Sequence, residues 1–293
     1  MKKSGLTSFH IKMIAVLTML TDHIGATLIR EMVRASEGKE RELLLFIYWT
    51  IRGIGRIAFP LFIFMLIEGF FHTRNRGKYL LRLAVFCPVA EIPFDIAINI
   101  SPAAMAGGKF IEWSSQNVMF TLTIGFLCLW ILYLQWPGHA ALNGQVEPAT
   151  DENIENPEAL SPAEYGSGRF SADLSTVSYG IWFVKCIVVT VVGSYIAYRF
   201  HTDYGWAGVL GIVLCGLTRL LIPAVDEARK TSFIGTMVPL ILQNPFEAVA
   251  LVDYFAVDLY NGERGRYSMK WFFYLFYPGH FLVLGIMKYF LFR

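Results

Sequence analysis

Long apolar runs separated by short polar punctuation dominate the chain. Read against their Gly, Pro, Asn and charged interruptions, the runs fall near residues 10–30, 43–72, 78–99, 117–136, 179–199, 205–223, 231–260 and 270–292. Each reaches the roughly 20 residues that a helix needs to cross the hydrocarbon core of a bilayer. The pattern predicts an all-α fold, a polytopic transmembrane helical bundle with about eight spanning helices. Gln243, Asn244 and Pro245 interrupt the 231–260 run, so it reads either as one span or as a broken, re-entrant pair that raises the count to nine.

Composition narrows this further. Of 293 residues 55% are hydrophobic and 16% charged, where an ordinary soluble surface needs roughly 25% charge, and a soluble fold is excluded. The amino-terminal stretch has a basic lead and an apolar run, as a signal peptide does, but Thr21, Asp22 and His23 interrupt it and no small-x-small site precedes them. It reads as a retained first helix. Cys87, Cys128, Cys186 and Cys215 lie in apolar runs without CxxC spacing, which predicts buried free thiols and no metal or disulfide framework.

The net charge of +2 hides an uneven distribution. Residues 137–178 hold seven acids and one base, so the remainder carries +8. Three regions follow: a first set of helices in 1–136, an acidic, weakly ordered loop in 137–178, and a second set of helices in 179–293. Lys2 and Lys3, and the bases of the 72–82 loop, place the N-terminus and that loop in the cytoplasm by the positive-inside rule. The acidic loop then falls on the same side. The basic excess is spread along the chain, unlike the concentrated face of a nucleic-acid binder, and no internal repeat of 20–50 residues is evident.

Candidate chemistry comes from ionisable residues inside the apolar runs, each costing at least ~2.5–3.5 kcal/mol at mid-membrane unless it has a partner, a wet cavity or a task. Lys12, Asp22 and His23 lie in the first run, Arg52, Arg56 and Glu68 in the second, Glu91 and Asp95 in the third, and Glu247, Asp253 and Asp258 in the seventh. Lys12 and His23 are eleven residues apart, which returns them to nearly one helix face with roughly 16 Å of rise between them. A lone membrane histidine often just hydrogen-bonds a neighbouring helix. With Asp22 beside it, His23 also suits a general base, although sequence neighbours point to different sides of a helix. Arg52 and Arg56 share a face at i, i+4. They read as interfacial anchors or as partners of carboxylates such as Glu68 or Glu91. Glu91 and Asp95, spaced alike around Pro93, read as a structural polar network with the arginines.

Two basic clusters flank the runs. Arg74, Arg76, Lys78 and Arg82 follow the second run, and Arg264, Arg266 and Lys270 precede the last. Topogenic anchoring accounts for the first cluster without a ligand; a polyphosphate docked at the cytoplasmic rim is the alternative.

The blocks KMIAVLTMLTDHIGA, GRIAFPLFIFMLIEGFFHTRNRGKYLLRL, EIPFDI, NVMFTLTIGF, YNGERG and FFYLFYPGHFLVL occur in that order along nearly all of the chain outside the acidic loop. Together they resemble the TraX family of conjugative pilin acetylases. The resemblance implies a multi-pass protein of the bacterial inner membrane that takes acetyl-CoA from the cytoplasm as acyl donor, with no metal. Its acceptor would be an amine or hydroxyl on a pilin-like protein or a surface glycan. A more distant likeness extends to transmembrane acyltransferases, whose first helix carries a basic residue, ten intervening positions and a histidine; Lys12 stands where that class has arginine. In such a reaction His23, with Asp22 beside it, would deprotonate the acceptor, Arg56 or a backbone amide would stabilise the oxyanion, and Glu68 is a further catalytic candidate. Coenzyme A phosphates would be held by Lys12, Arg74, Arg76, Lys78, Arg82, Arg264, Arg266 and Lys270. Two other functions compete, a proton-coupled transporter and a non-enzymatic membrane component of a conjugation or secretion machine.

Overall fold

The computed structural model describes residues 5–137, 176–265 and 270–293. The acids of the 137–178 stretch, together with Lys2, Lys3 and Arg266, lie outside the described residues. Within them the chain is predominantly helical, with two isolated bridges and no strand.

Helix α1 (Ser8–Ile24) continues through one wide π-helical turn, Gly25–Ile29, into α2 (Arg30–Ala35). Helix α3 (Gly38–Gly55) and α4 (Ala58–His72) follow each other across a break at Arg56 and Ile57. Helix α5 (Arg76–Phe94) ends in a second π-helical turn, Asp95–Asn99. The short α6 (Pro102–Ala106) precedes α7 (Val118–Leu134). Then come α8 (Thr176–Arg199), α9 (Gly205–Leu221) and α10 (Val225–Gln243). A 3-10 stretch (Pro245–Val252), α11 (Asp253–Asp258) and α12 (Lys270–Phe292) complete the chain.

Local chemistry sets several of these boundaries. The side chains of Asn75 and Asn117 accept from Lys78 N and Met119 N at the starts of α5 and α7, the usual N-cap arrangement. Proline disfavours helical backbone in the residue before it, and Asn244 is extended at φ −146° ahead of Pro245. The Asn244 side chain then accepts from Phe246 N at 3.2 Å. The 231–260 run is accordingly two pieces that meet at Asn244. Pro88 and Pro93 sit inside α5, a placement tolerated where neighbouring groups re-satisfy the freed carbonyls.

Among the described residues four helices are long and apolar enough to cross a membrane: 8–35, 38–72, 179–199 and 271–292, with shorter apolar helices at 118–134 and 205–221. The expectation of about eight spans exceeds what length and hydropathy support among the described residues. Helix α5 carries Arg76, Lys78, Arg82 and Glu91, and α10 opens with Asp226, Glu227, Arg229 and Lys230, which lowers their apolar content.

The bundle has two chemically distinct ends. At one, Leu6 N donates to Leu259 O and Ser8 N to Glu263 O, each at 2.8 Å, which ties the start of α1 to the approach to α12. At the other, Gln116 N donates to His201 O and Asp203 N to Gln116 O, joining the start of α7 to the α8–α9 loop. Between them Phe64, Phe70, Phe126 and Phe281 are fully buried in one continuous core. All four cysteines are buried and free.

Candidate active site

Asp22 and His23 sit one turn before the first π-helical turn, and Asp95 opens the second. The two turns face each other, and such wide turns recur at functional sites. Asp22 is buried. Its Oδ2 accepts from Arg52 Nη1 at 2.5 Å and its Oδ1 from Arg56 Nη2 at 3.0 Å, while Arg56 Nη1 reaches Glu247 Oε1 at 2.8 Å. Two carboxylates thus neutralise two guanidinium groups, as buried charge requires. Gly55 makes the approach of α1 to α3 feasible, because a Cβ there would collide with the Asp22 carboxylate.

These partners correct the pairing expected from sequence. Neither Glu68 nor Glu91 meets the arginines. Glu68 lies twelve residues beyond Arg56, about 18 Å along a helix axis. It is buried at the Leu6 end of the bundle and accepts from Arg219 Nη2 at 2.9 Å and Arg229 Nη2 at 3.0 Å. Glu91 Oε2 accepts from Asn117 N at 3.1 Å and from its Nδ2. Asp95 accepts from Asn99 Nδ2 and Glu112 N, both at 2.8 Å.

His23 has a different orienting partner from the one next to it in sequence. Its Nε2 lies 4.0 Å from Asp22 Oδ2, beyond hydrogen-bond range, and both Asp22 oxygens are engaged by arginine. His23 Nδ1 instead lies 2.6 Å from His280 Nε2 on α12, with the two rings stacked within 9° of parallel. His280 Nδ1 lies 2.7 Å from Phe276 O. A carbonyl only accepts, so His280 Nδ1 carries the proton and its Nε2 holds a lone pair. His23 Nδ1 must then be the donor, which leaves the lone pair of His23 on Nε2. The chain Phe276 C=O, His280, His23 thereby fixes both tautomers of the neutral rings.

His23 lines a cavity of about 270 Å³ together with Asp22, Arg52, Arg56, Tyr204 and Tyr277, among others. The cavity continues past Ser115, Gln116 and Asp203 at the second end of the bundle. Tyr204 stacks on Phe59 at 3.6 Å between centroids, with the Arg56 guanidinium 6.0 Å from its ring. Its φ of +60° is uncommon for a bulky residue and marks stored backbone strain.

Lys12 and His23 both face α12, as their spacing predicts: Lys12 Nζ lies 5.6 Å from the Phe273 centroid, and His23 meets His280. On α1 the cavity lining reaches back to Met19 and stops short of Lys12. The basic residues of the first end divide into two groups. Arg76 packs over Phe70 and Tyr133 with its Nε donating to Phe70 O at 3.2 Å, and Arg82 lies over Tyr79. Arg74, Lys78 and Arg264 are exposed. Arg266 and the Lys270 side chain lie outside the described residues.

Sequence reasoning missed His280, Asp203, Tyr204, Arg219 and Arg229 as site residues. The signal for His280 was a polar side chain in the otherwise apolar FFYLFYPGHFLVL block; what spacing could not reveal is that α12 lies against α1.

Spanning-length apolar helices around an internal, charged, histidine-bearing cavity define a helical membrane protein with a buried polar site. The family model described as TraX protein matches residues 8–136 and 175–288, and the chain belongs to the TraX family. It is similar to the probable fimbrial assembly protein FimC, serogroup H1, of Dichelobacter nodosus, at 26% identity over 286 residues, which cover 97% of each chain. No solved structure matches the chain.

Proposed function

We propose that this TraX protein is an integral-membrane acetyltransferase that moves an acetyl group from cytoplasmic acetyl-CoA to an amine or hydroxyl of an acceptor. The observation that carries the reading is the histidine relay, which leaves the lone pair of His23 on Nε2, in a residue that lines a cavity together with two arginines. The cavity's volume of about 270 Å³ lies just below the about 300–1,000 Å³ of small-molecule sites, enough for an acetyl thioester and a reacting nitrogen or oxygen but not for a nucleotide.

In the reaction the acceptor heteroatom attacks the thioester carbonyl as His23 Nε2 takes its proton. The carbon–sulfur bond then breaks, and the departing sulfur receives that proton from the imidazolium. His280 holds the ring through Nδ1 and shares the charge. Arg56 has each of its three nitrogens in a hydrogen bond, to Arg52 O, Glu247 and Asp22. Arg52 is held through Nη1 to Asp22 alone and lines the cavity. We therefore move the oxyanion-stabilising role from Arg56 to Arg52, with Arg56 and Asp22 as positioning residues. Glu68, tied to Arg219 and Arg229, is structural. Coenzyme A phosphates would meet the exposed Arg74, Lys78 and Arg264, and the thioester would enter by parting α1 from α12 above Lys12 and Phe273.

The chain would sit in the bacterial inner membrane with its N-terminus in the cytoplasm. Counting the return of 245–258 as its own pass, it would cross nine times. The name of FimC as a fimbrial assembly protein favours a pilin-like acceptor; a surface glycan is the second choice.

The test is turnover of labelled acetyl-CoA by the purified full chain. Acetyl-CoA should be bound and hydrolysed or transferred, and His23→Ala should lower turnover by at least about 100-fold, within the range of general-base effects, with unchanged helical content. Undiminished turnover in a folded His23→Ala variant removes His23 from the mechanism, and no binding of acetyl-CoA removes the acyltransferase reading.

A further inference from the structure

A second cavity of about 320 Å³ adjoins the first, sharing Arg30 and Ile98 with it, and is lined also by Glu31, Arg34 and Lys288. Its charge is out of balance. Lys288 is 1% exposed, yet it has no carboxylate within hydrogen-bond reach: its Nζ donates to Ala97 O at 3.0 Å and Ile100 O at 2.7 Å and stands 3.9 Å from Glu31 Oε1. Glu31 is taken by Arg34 Nη1, at 2.9 and 3.2 Å to its two oxygens. Arg30 uses Nη2 on Ile98 O at 2.6 Å. Its Nε is shielded from solvent without a hydrogen bond, 3.8 Å from Glu31. Three cations therefore converge on one carboxylate.

Uncompensated positive charge in a protein interior is costly, and a ligand that supplies about two negative charges would remove the imbalance. A phosphate carries ≈ −1.5 to −2 at neutral pH and offers three acceptor oxygens, which matches the excess better than a single carboxylate. Arg30 lies seven residues beyond His23, about 10 Å along the helix.

We infer that the Arg30, Arg34 and Lys288 cavity is a phosphate subsite next to the His23 cavity. It places a phosphate group in the cavity that shares Arg30 and Ile98 with the one His23 lines. The phosphate itself is recognised whatever the chemistry at His23; only its assignment to the acceptor, or to a lipid bordering it, rests on the acyltransferase reading.

The probe is labelled inorganic phosphate, titrated against the full chain in a neutral detergent free of anionic lipid. Saturable binding is expected, weakened at least tenfold in Lys288→Met and in Arg34→Gln and unchanged in His23→Ala. Lys288 is buried and its replacement can unfold the chain, so the more exposed Arg34 provides the deciding variant. Absence of saturable binding, or equal affinity in folded Arg34→Gln, overturns the subsite. Nanodiscs separate the sources: loss of phosphate binding in phosphatidylglycerol discs but not in phosphatidylcholine discs assigns the site to the headgroup of an anionic lipid, and equal binding in both assigns it to a phosphate on the acceptor. Phosphate binding without acetyl transfer would sink the catalytic reading and leave this one standing, and the converse holds.

Discussion

At the scale of single residues, the relay from Phe276 O through His280 to His23 makes a distinction that a general polar network does not. His280→Ala removes the acceptor for His23 Nδ1–H, frees the ring to adopt the other tautomer, and should lower kcat for acetyl transfer tenfold or more with little change in KM. His280→Gln, whose amide can stand where Nε2 does, should recover most of that loss. Equal rates for the two variants would mean that the pair serves packing alone. Gly55 allows a second prediction. A Cβ there meets the Asp22 carboxylate, and overpacking of this kind typically costs 1–3 kcal/mol. Gly55→Ala should lower the thermal unfolding midpoint in detergent, and an unchanged midpoint would show that Asp22 can step aside. His23, Asp22, Arg52 and Arg56 were visible in the sequence because each interrupts an apolar run. Their pairing was not, since Glu247 lies 191 residues from Arg56 and His280 lies 257 from His23. Helical spacing constrains only neighbours on one helix.

At the scale of elements, Glu68 acts as a clamp. It draws the end of α4 onto the ends of α9 and α10 through Arg219 and Arg229. Removing its charge leaves two guanidinium groups buried, and breaking such a cluster costs ~3–5 kcal/mol. Glu68→Gln should therefore melt markedly earlier by circular dichroism, with transfer lost in proportion to folded protein. A variant that melts like the parent yet transfers nothing would return Glu68 to the chemistry. The break between α10 and the 3-10 stretch was legible, because Asn244 and Pro245 carry a local backbone instruction. The π-helical turns at Gly25–Ile29 and Asp95–Asn99 were not, because they follow from the packing of α1, α5 and α12 rather than from any residue type.

At the scale of the whole molecule, the proposed orientation can be read chemically. The four native cysteines are buried, so they give little background to a membrane-impermeant thiol reagent. Ser114→Cys, in the exposed part of the 107–116 loop, should label in intact spheroplasts, and Arg74→Cys only after permeabilisation. The opposite pattern would invert the topology and move the coenzyme A side with it. Apolar runs of spanning length, too few charges for a soluble surface, and isolated polar residues inside those runs were enough to determine an all-helical membrane-type chain and to single out His23. These are properties of consecutive residues, which the 3.6-residue helix and the cost of burying charge act upon directly. Tertiary structure alone decided that α12 supplies the second histidine, that Asp22 serves the arginines rather than its neighbour, and that Lys288 reaches Glu31. Those contacts join residues far apart in the chain, and only the packing of helix against helix brings them within reach.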